Sequence, residues 1–382
     1  MKFDPYILVK KHTKYRLNSL NLLPSENILS KKVLQILGTD LASRYSLLLD
    51  NGKNAYGGTK YIDEIIFNGE NIVKSLFNVK YSEIRPLSGH IAAMISLLSS
   101  VEKNGKIMAI PPEHGGYDGY SEKYLPDILS LKYKPIPFNE KTWNIDYENL
   151  EIEIKKFMPN LLVLGASYFL FPYDLKFIYE LSEKFSFKII YDASHVMGLI
   201  AGKEFQKDIF KYSSIVYGST HKSFFGPQGG IILTNDDYLI EKIRKNVVWR
   251  TMDNYHLNRL AALVQASIEM QKFGEEYAKS VIKNAKYLSK LLDENNFGVK
   301  KFDGKYTESH QILLKNKDLC HILEKSRIII DCVGRMGTNE ITRLGFKEKD
   351  VEKLSELIIS ALNKNVSREV IAFRNKFKIK YC

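Results

Sequence analysis

One stretch, residues 213–233, constrains the fold of this chain more than any other. An apolar run from Ser213 to Ser219 has the composition of a β-strand and leads into Thr220-His221-Lys222; the chain then turns at Gly226-Pro227 and enters a second apolar run. A lysine at a strand end can be partly desolvated and oriented, as a Schiff-base nucleophile must be to lose its proton. An arbitrary lysine is better explained as part of a surface turn, but the neighbouring hydroxyl and imidazole favour a reactive amine here.

A second segment, residues 187–198, strengthens this interpretation. Its apolar strand ends on Asp192, and His195 follows three residues later. Open α/β sheets bind ligands at the carboxyl ends of their strands. Pyridoxal phosphate needs a carboxylate there, because the cofactor withdraws electrons only while its ring nitrogen is protonated. Asp192 and Lys222, each at the end of its own strand, therefore predict a site for this cofactor.

The motifs Asp-Ala-Ser-His-Val-Met-Gly-Leu (192–199) and Ser-Thr-His-Lys-Ser-Phe-Phe-Gly-Pro-Gln-Gly-Gly (219–230) closely resemble those of the serine hydroxymethyltransferase family. Matching segments follow in the family's order from Leu20 to about Phe346. The resemblance implies the α/β fold type I, or aspartate-aminotransferase-like class, with pyridoxal 5'-phosphate as cofactor. It implies a large domain with a mostly parallel seven-stranded sheet flanked by helices, and a smaller α+β C-terminal domain.

Length supports this division, since 382 residues exceed what one hydrophobic core usually sustains. We predict an N-terminal arm over 1–25, a large cofactor-binding domain over 26–250 and a small domain over 251–382. The spacing of apolar residues predicts a helix over 30–46 and a long amphipathic helix, or pair of helices, over 258–292.

Composition argues against several other classes of protein. No run of about 18 uncharged apolar residues is present, so no membrane association is expected. The N-terminus lacks the apolar block of a secretory signal. Cys320, Cys332 and Cys382 are scattered without metal-binding spacing, which predicts reduced thiols in a cytoplasmic protein and no metal site. The net charge of +12 is spread among interleaved glutamates, so a nucleic-acid partner is not expected.

The resemblance also implies the cofactor-binding residues. Ser88-Gly89-His90 opens a helix, where free N–H groups and the positive end of the helix dipole would face a phosphate. Tyr117 replaces the family histidine that stacks on the pyridine ring. The implied set is Lys222, Asp192, His195, Ser88, Gly89, His90, Tyr117, Ser167, Ser219, His221 and Tyr45.

Three residues are implied to bind a small amino acid substrate: Ser25, Tyr56 and Arg335. In the family the arginine holds the α-carboxylate through two parallel hydrogen bonds. The residues around Ser25 alone would equally suit a helix N-cap. Tyr45 and Tyr56 belong to a loop whose contacts reach across a dimer interface in the family, so the resemblance implies a homodimer with its active site at that interface.

This loop differs from the family at the position of the family's acid–base residue. Leu47 stands where the family has a glutamate that acts as acid and base in moving the one-carbon unit, and Ala55 replaces a tyrosine that packs against folate. A leucine cannot transfer a proton, and losing such a group costs ~10²–10⁴ in rate. We therefore expect chemistry without folate. The nearest carboxylate is Asp50, and His114, Tyr117 or water could serve as base. The predicted catalytic residues are Lys222, Tyr56 and His114.

The expected enzyme makes or breaks the Cα–Cβ bond of a β-hydroxy amino acid of the serine, threonine and glycine class. One alternative keeps pyridoxal phosphate but breaks another bond, as a racemase, decarboxylase, lyase or aminotransferase does. A second alternative is a binding protein whose catalytic power has decayed. Lys222 argues against the second, because a decayed enzyme has no need of its Schiff-base lysine.

Overall fold

The structure is a computed structural model that describes residues 3–49 and 52–382. Its internal contacts divide the chain into two compact units. The larger unit is Leu29–Ala278. The smaller unit joins the N-terminal residues up to Ile28 with Lys279–Cys382.

Helices and strands alternate through most of the chain. The strands are β1 (Leu20–Asn21), β2 (Tyr81–Glu83), β3 (Lys106–Ala109), β4 (Lys132–Pro135), β5 (Phe138–Asn139), β6 (Asn144–Ile145), β7 (Leu161–Leu164), β8 (Lys188–Asp192), β9 (Ile215–Ser219), β10 (Gly230–Thr234), β11 (Gln311–Leu313), β12 (Ile328–Ile329) and β13 (Arg335–Gly337). The α-helices are α1 (Pro5–Leu17), α2 (Lys31–Leu37), α3 (Lys60–Phe77), α4 (Gly89–Ser100), α5 (Leu125–Ile128), α6 (Tyr147–Phe157), α7 (Leu175–Phe185), α8 (Met197–Ala201), α9 (Ile209–Tyr212), α10 (Asp237–Val247), α11 (Leu257–Glu294), α12 (Leu319–Lys325), α13 (Asn339–Arg343), α14 (Glu348–Ser360) and α15 (Ser367–Arg374). Short 3-10 helices cover Asp40–Ser43, Pro112–His114 and Asp118–Tyr120.

The larger unit is organised around a seven-stranded sheet in the order β2-β10-β9-β8-β7-β3-β4. The five strands from β9 to β4 run parallel, whereas β10 is antiparallel to both of its neighbours. Strands such as β7 are apolar at every position and wholly buried, as a parallel sheet covered on both faces requires. The predicted α/β fold with a mostly parallel seven-stranded sheet is confirmed.

The register of the parallel strands brings their carboxyl ends to one edge. Leu164 at the end of β7 lies opposite Tyr191 of β8, and Asp192 lies opposite Tyr217 of β9. Antiparallel β10 returns beside β9, with Gly230 opposite Ser219. The segment that carries Lys222 therefore leaves the sheet at the same edge as Asp192.

The smaller unit has its own core and two small sheets. Strand β1 pairs in parallel with β12, and β11 pairs antiparallel with β13. Leu20 and Leu22 pack into a buried apolar cluster with residues of the C-terminal helices, among them Leu354 and Ile358. Because β1 is part of this core, the N-terminal residues belong to the smaller unit.

These units differ from the predicted boundaries. Helix α11 is one continuous helix of 38 residues, so no break in secondary structure marks the division near Ala278. Residues 251–278 pack with the larger unit, whereas the predicted boundary lies after residue 250. The predicted N-terminal arm is likewise part of the smaller unit.

Two local features add to the predictions. The N-terminal arm, for which no helix was predicted, contains helix α1, capped by the Asp4 side chain and started by Pro5. The helix expected over 30–46 is shorter. It begins after Ser30, whose hydroxyl caps it, ends before Gly38, and is followed by the 3-10 turn Asp40–Ser43.

The cysteines do not match the prediction of reduced thiols. Cys320 and Cys332 form a disulfide with a Cα–Cα distance of 5.2 Å, while Cys382 is a free, exposed thiol. The pairing could not be predicted from the sequence, because it depends on how the chain folds between the two cysteines. Cys320 lies in α12, and the chain passes through strand β12 before Cys332 meets it. The disulfide removes one reason for expecting a cytoplasmic protein. Among the described residues, no helix combines the length and apolar character needed to cross a membrane.

Candidate active site

A cleft at the carboxyl edge of the large sheet gathers most of the predicted cofactor residues. The side chains that surround it come from α4, β8, β9 and the loops after β3, β7, β8 and β9: Gly89, His90, Tyr117, Ala166, Ser167, Asp192, Ser194, His195, Ser219 and Lys222. Strand ends that are far apart in sequence therefore converge on one site, as expected for an open α/β sheet.

The segment that carries Lys222 is fixed by hydroxyl groups on either side of it. The Thr220 hydroxyl donates to the Pro227 carbonyl at 2.6 Å, which closes the turn from within. The Ser223 hydroxyl donates to the carbonyl of His195 at 2.6 Å and accepts from the Gly198 N–H at 3.0 Å. Both residues are fully buried, so the backbone of Lys222 is held on each side and linked to the loop after β8.

Asp192 is buried at the end of β8, with its carboxylate reaching the cleft. Oδ1 accepts a hydrogen bond from the Ser194 N–H at 2.9 Å, and Oδ2 accepts one from the Tyr120 hydroxyl at 2.6 Å. Each oxygen of an ionised carboxylate can accept a further hydrogen bond. The group is therefore oriented from behind and able to bind a donor on the cleft side.

The N-terminus of helix α4 forms another wall of the cleft. Ser88 is the N-cap, and its hydroxyl accepts from the Ile91 N–H at 3.1 Å. A Cβ at Gly89 would lie 2.2 Å from Ser219 Oγ and 3.2 Å from Ser194 Oγ, so only glycine fits at this approach. Helix geometry leaves the first N–H groups without partners inside the helix, which makes this end suitable for an anion.

Two histidines at the site are electrically neutral near pH 7. Burial, together with the positive charge of Lys222, lowers the pKa of His221 to about 4. Its Nδ1 is buried and has no hydrogen-bond partner among the residues that the structure describes. Burial also lowers the pKa of His90, whose Nδ1 lies 3.0 Å from the Tyr117 hydroxyl. Neutral imidazoles can donate to a phosphate or phenolate without adding charge.

Five predicted residues of the larger unit are not among the residues that surround this cleft. Ser88 and His221 adjoin Gly89 and Lys222 in sequence, and the other three are Tyr45, Tyr56 and His114. Tyr45 and Tyr56 lie close together, with ring centroids 5.3 Å apart, and both are exposed. The Tyr45 hydroxyl is 3.2 Å from the Asp253 carboxylate. His114 stacks on Phe138 with ring centroids 5.0 Å apart, and its Nε2 lies 3.1 Å from Glu140 Oε1.

The predicted carboxylate-binding residues lie in the smaller unit. Arg335 begins β13, where its Nε donates to Asp331 Oδ2 at 2.6 Å and its backbone N–H donates to Oδ1 at 2.8 Å. Ser25 follows Pro24 in a turn after β1. A Cβ at Gly337 would lie 2.5 Å from the Cα of Pro24, so the end of β13 packs directly against the chain beside Ser25.

The two loop positions that depart from the family lie opposite each other. The Ala55 N–H donates to the Leu47 carbonyl at 2.9 Å, and Leu48 forms an antiparallel bridge with Asn54. The glutamate and the folate-packing tyrosine of the family are thus replaced at neighbouring points of one hairpin. Asp50, the nearest carboxylate in sequence, lies outside the described residues.

Some residues of the site were missed by the sequence analysis. Ser194 follows Asp192 by two residues, the spacing at which an aspartate accepts a backbone N–H in a turn. Tyr217 precedes Ser219 by two residues, so strand alternation puts both on one face of β9. Asp331 precedes Arg335 by four residues, a spacing that signals an ion pair only on a helix, and this segment is not helical. Tyr120 had no comparable signal, because a long loop carries it to Asp192.

Comparison with known proteins agrees with this geometry. A family model described as serine hydroxymethyltransferase matches residues 2–358. A serine hydroxymethyltransferase of Methanobrevibacter smithii is 36% identical, with 97% of this chain and 93% of the relative covered. Relatives with the same name from Methanosphaera stadtmanae (35% identical; 97% and 93% covered) and Methanocaldococcus jannaschii (36%; 94% and 88%) are similar as well.

The family model covers well over half of the chain, and each of these relatives exceeds 30% identity over nearly its whole length. The motifs around Asp192 and Lys222 that suggested the family lie at the cleft described above. The chain therefore belongs to the serine hydroxymethyltransferase family and is an enzyme of the hydroxymethyltransferase type.

Proposed function

We propose that this enzyme binds pyridoxal 5'-phosphate in the cleft around Lys222 and makes or breaks the Cα–Cβ bond of a β-hydroxy amino acid without folate. The observation that carries the proposal is the convergence of Lys222 and Asp192 with the N-terminus of α4 at one cleft. When bound, pyridoxal phosphate supplies an electron-withdrawing ring that stabilises negative charge developing at the substrate Cα.

The residues present suit this cofactor chemically. Because Gly89 has no side chain, the Ser219 hydroxyl can pack against the start of α4, where backbone N–H groups would face a phosphate. Asp192 offers a carboxylate to a protonated ring nitrogen, and Tyr117 offers an aromatic face. The buried, unpartnered Nδ1 of His221 lies next to the lysine in sequence, where a further acceptor or donor would satisfy it.

Each group has a defined task in the proposed reaction. Lys222 would provide the amine that holds the cofactor. Asp192 would accept a hydrogen bond from the cofactor's ring nitrogen, and His195 with Ser167 would contact its phenolic oxygen. Arg335 binds the substrate α-carboxylate, with Asp331 fixing its Nε. Tyr56 and His114 remain predicted catalytic residues, and a base for the β-hydroxyl would come from His114, Tyr117 or water.

Folate independence is supported by the hairpin that carries Leu47 and Ala55. The two positions that the family uses for one-carbon transfer and for folate packing adjoin each other here, and both now have apolar side chains. A single replacement could be compensated nearby. Paired replacements at one place instead remove both the proton-transfer group and the packing surface.

Product analysis tests the proposed reaction. The reconstituted protein is incubated with serine, with threonine, and with glycine plus an aldehyde, each with and without tetrahydrofolate. We expect glycine or a β-hydroxy amino acid to form at rates that folate does not change. An absolute requirement for folate would contradict folate independence. Carbon dioxide, a keto acid or the D-isomer as the main product would contradict the choice of bond.

We further propose a homodimer with Tyr45 and Tyr56 contributing to the partner's site. Both tyrosines are exposed and are not among the residues that surround the cleft of their own chain. Sedimentation equilibrium of the reconstituted protein should therefore give twice the mass of the 44.0 kDa chain. A monomer mass at assay concentrations would rule out this arrangement.

A further inference from the structure

Behind the cleft, Asp192 is connected to two tyrosines that the proposed function leaves without a role. The Tyr120 hydroxyl lies 2.6 Å from Asp192 Oδ2 and 2.5 Å from the Tyr217 hydroxyl. Both tyrosines are almost completely buried. The three side chains form a continuous hydrogen-bonded line that runs from the sheet interior to the cleft.

The direction of this line follows from the donors available. A carboxylate can only accept, so Tyr120 donates its single proton to Asp192. Tyr217 must then donate to the oxygen of Tyr120. Burial and the negative charge of Asp192 raise the pKa of both tyrosines well above its usual range. Both hydroxyls therefore remain protonated, and remain donors, throughout the neutral pH range.

Tyr120 also contacts the predicted stacking residue. Its ring packs edge-on against Tyr117, with centroids 5.3 Å apart and planes at 80°. The two tyrosines belong to one tight turn, in which the Tyr120 N–H donates to the Tyr117 carbonyl at 3.0 Å. Tyr120 thus contacts two groups of the proposed cofactor site. These are Asp192, which would bind the ring nitrogen, and Tyr117, which would stack on the face of the ring.

A carboxylate opposite a protonated ring nitrogen in a water-poor site has two possible states. The proton stays on nitrogen and the pair is charged, or it moves to oxygen and both groups become neutral. Hydrogen-bond donors to the carboxylate favour the charged pair, whereas loss of a donor favours transfer of the proton. Tyr120 and the Ser194 N–H are the donors that the structure provides.

We propose that Tyr120, supported by Tyr217, is a positioning residue that orients the Asp192 carboxylate as an acceptor toward the cleft, so that the ring nitrogen of bound pyridoxal phosphate stays protonated. This inference rests on the proposed cofactor. It assigns a role to a residue outside the set predicted from sequence. The effect is transmitted through Asp192, since Tyr120 itself is buried behind that carboxylate.

The protonation state of the ring nitrogen can be observed directly. The wild type and the variants Tyr120→Phe, Tyr217→Phe and Tyr191→Phe are loaded with pyridoxal phosphate labelled with ¹⁵N in the ring, and the nitrogen chemical shift is recorded against pH. Cofactor affinity is measured in parallel. Tyr191 is a matched control, because it is equally buried on the same strand as Asp192 but its hydroxyl bonds to Gln206 at 3.0 Å.

The expected results separate positioning from packing. Tyr120→Phe should move the ¹⁵N shift toward that of an unprotonated ring and weaken cofactor binding roughly tenfold, as expected for losing one charge-assisted hydrogen bond. Tyr217→Phe should give a smaller change in the same direction, and Tyr191→Phe none. If Tyr120→Phe does not fold, Tyr217→Phe alone decides the matter. If the ¹⁵N shift of Tyr120→Phe equals that of the wild type, the inference is overturned. If Tyr120→Phe does not fold, a wild-type ¹⁵N shift in Tyr217→Phe overturns it.

Failure of the proposed function would look different. If the wild type itself does not bind the labelled cofactor, the proposed function is wrong and the inference falls with it. If the wild type binds with a protonated ring and all three variants behave like it, the proposed function stands. The role assigned to Tyr120 is then overturned.

Discussion

Single residues set the chemistry of this site. Lys222 and Asp192 follow strand ends and Gly89 begins a helix, and the fold brings the three to one cleft. Tyr120 reaches Asp192 through a hydrogen bond that joins positions 72 residues apart. Its role depends on tertiary packing that no local pattern encodes.

Arg335 provides a test at this scale. Replacing it with lysine keeps the charge but loses the planar fork that can bind a carboxylate through two parallel bonds while Asp331 holds Nε. Arg335→Lys should raise the KM for the amino acid roughly 10- to 100-fold, as expected for losing one charge-assisted hydrogen bond, and should leave cofactor affinity unchanged. Steady-state kinetics and a cofactor titration measure the two effects.

The exposed Arg368 of helix α15 offers a matched control. Arg368→Lys makes the same chemical change away from the predicted site and should leave both the KM and the cofactor affinity as they are. If Arg335→Lys also has a wild-type KM, this arginine does not bind the substrate carboxylate.

At the scale of elements, apolar runs predicted the strands that lead to Asp192 and Lys222, and the spacing of apolar residues predicted two helical segments. The run 187–192 became β8, and the long apolar periodicity after residue 258 became α11. The pairing of β1 with β12 was not predictable, since it joins strands of two residues each that are about 300 positions apart. Such short strands leave no periodic signal, and their pairing is determined by the core of the smaller unit.

Glu340 shows how the β1 segment and α13 are coupled in that core. Part of its side chain reaches the surface, but its carboxyl group is surrounded by protein and accepts from Asn21 Nδ2 at 2.6 Å. Burial raises the pKa of Glu340 to about 7, although Asn21 and the nearby Arg16 and Arg374 oppose the shift. The folded state therefore holds this proton more tightly than the unfolded state does.

Glu340 should make the free energy of unfolding fall as the pH rises. The stabilisation is fully present below the ordinary glutamate pKa of 4.5 and is lost as the pH rises through about 7. Between pH 5 and pH 8 the wild type should therefore lose on the order of 2 kcal/mol more free energy of unfolding than Glu340→Gln, which does not titrate. Denaturant unfolding at the two pH values measures this difference.

Exposed Glu369 of helix α15 serves as the matched control for this prediction. Glu369→Gln should follow the wild-type pH dependence. Equal pH dependence in the wild type and Glu340→Gln would show that the Glu340 carboxyl group is ionised in the folded state well below pH 7.

For the whole molecule, the fold class was predictable because the motifs around Asp192 and Lys222 resemble those of a family with this fold. The division into two units was harder to predict from the sequence. A continuous helix crosses the boundary, and the N-terminal residues join the C-terminal ones, so neither edge of the smaller unit coincides with a linker. The Cys320–Cys332 disulfide was missed for a related reason, since only the folded smaller unit brings the two cysteines together.

The central claim is that the Lys222 amine holds the cofactor at the edge of the large sheet. Reduction of the reconstituted protein with borohydride, followed by proteolysis and mass spectrometry, tests it most directly, because reduction makes a carbon–nitrogen bond between the two permanent. The account predicts that the added cofactor mass lies on the peptide containing Lys222, is absent from Lys222→Ala and is unchanged in a Lys203→Ala control. Modification of a different lysine in the wild type, or equal labelling of Lys222→Ala, would contradict it.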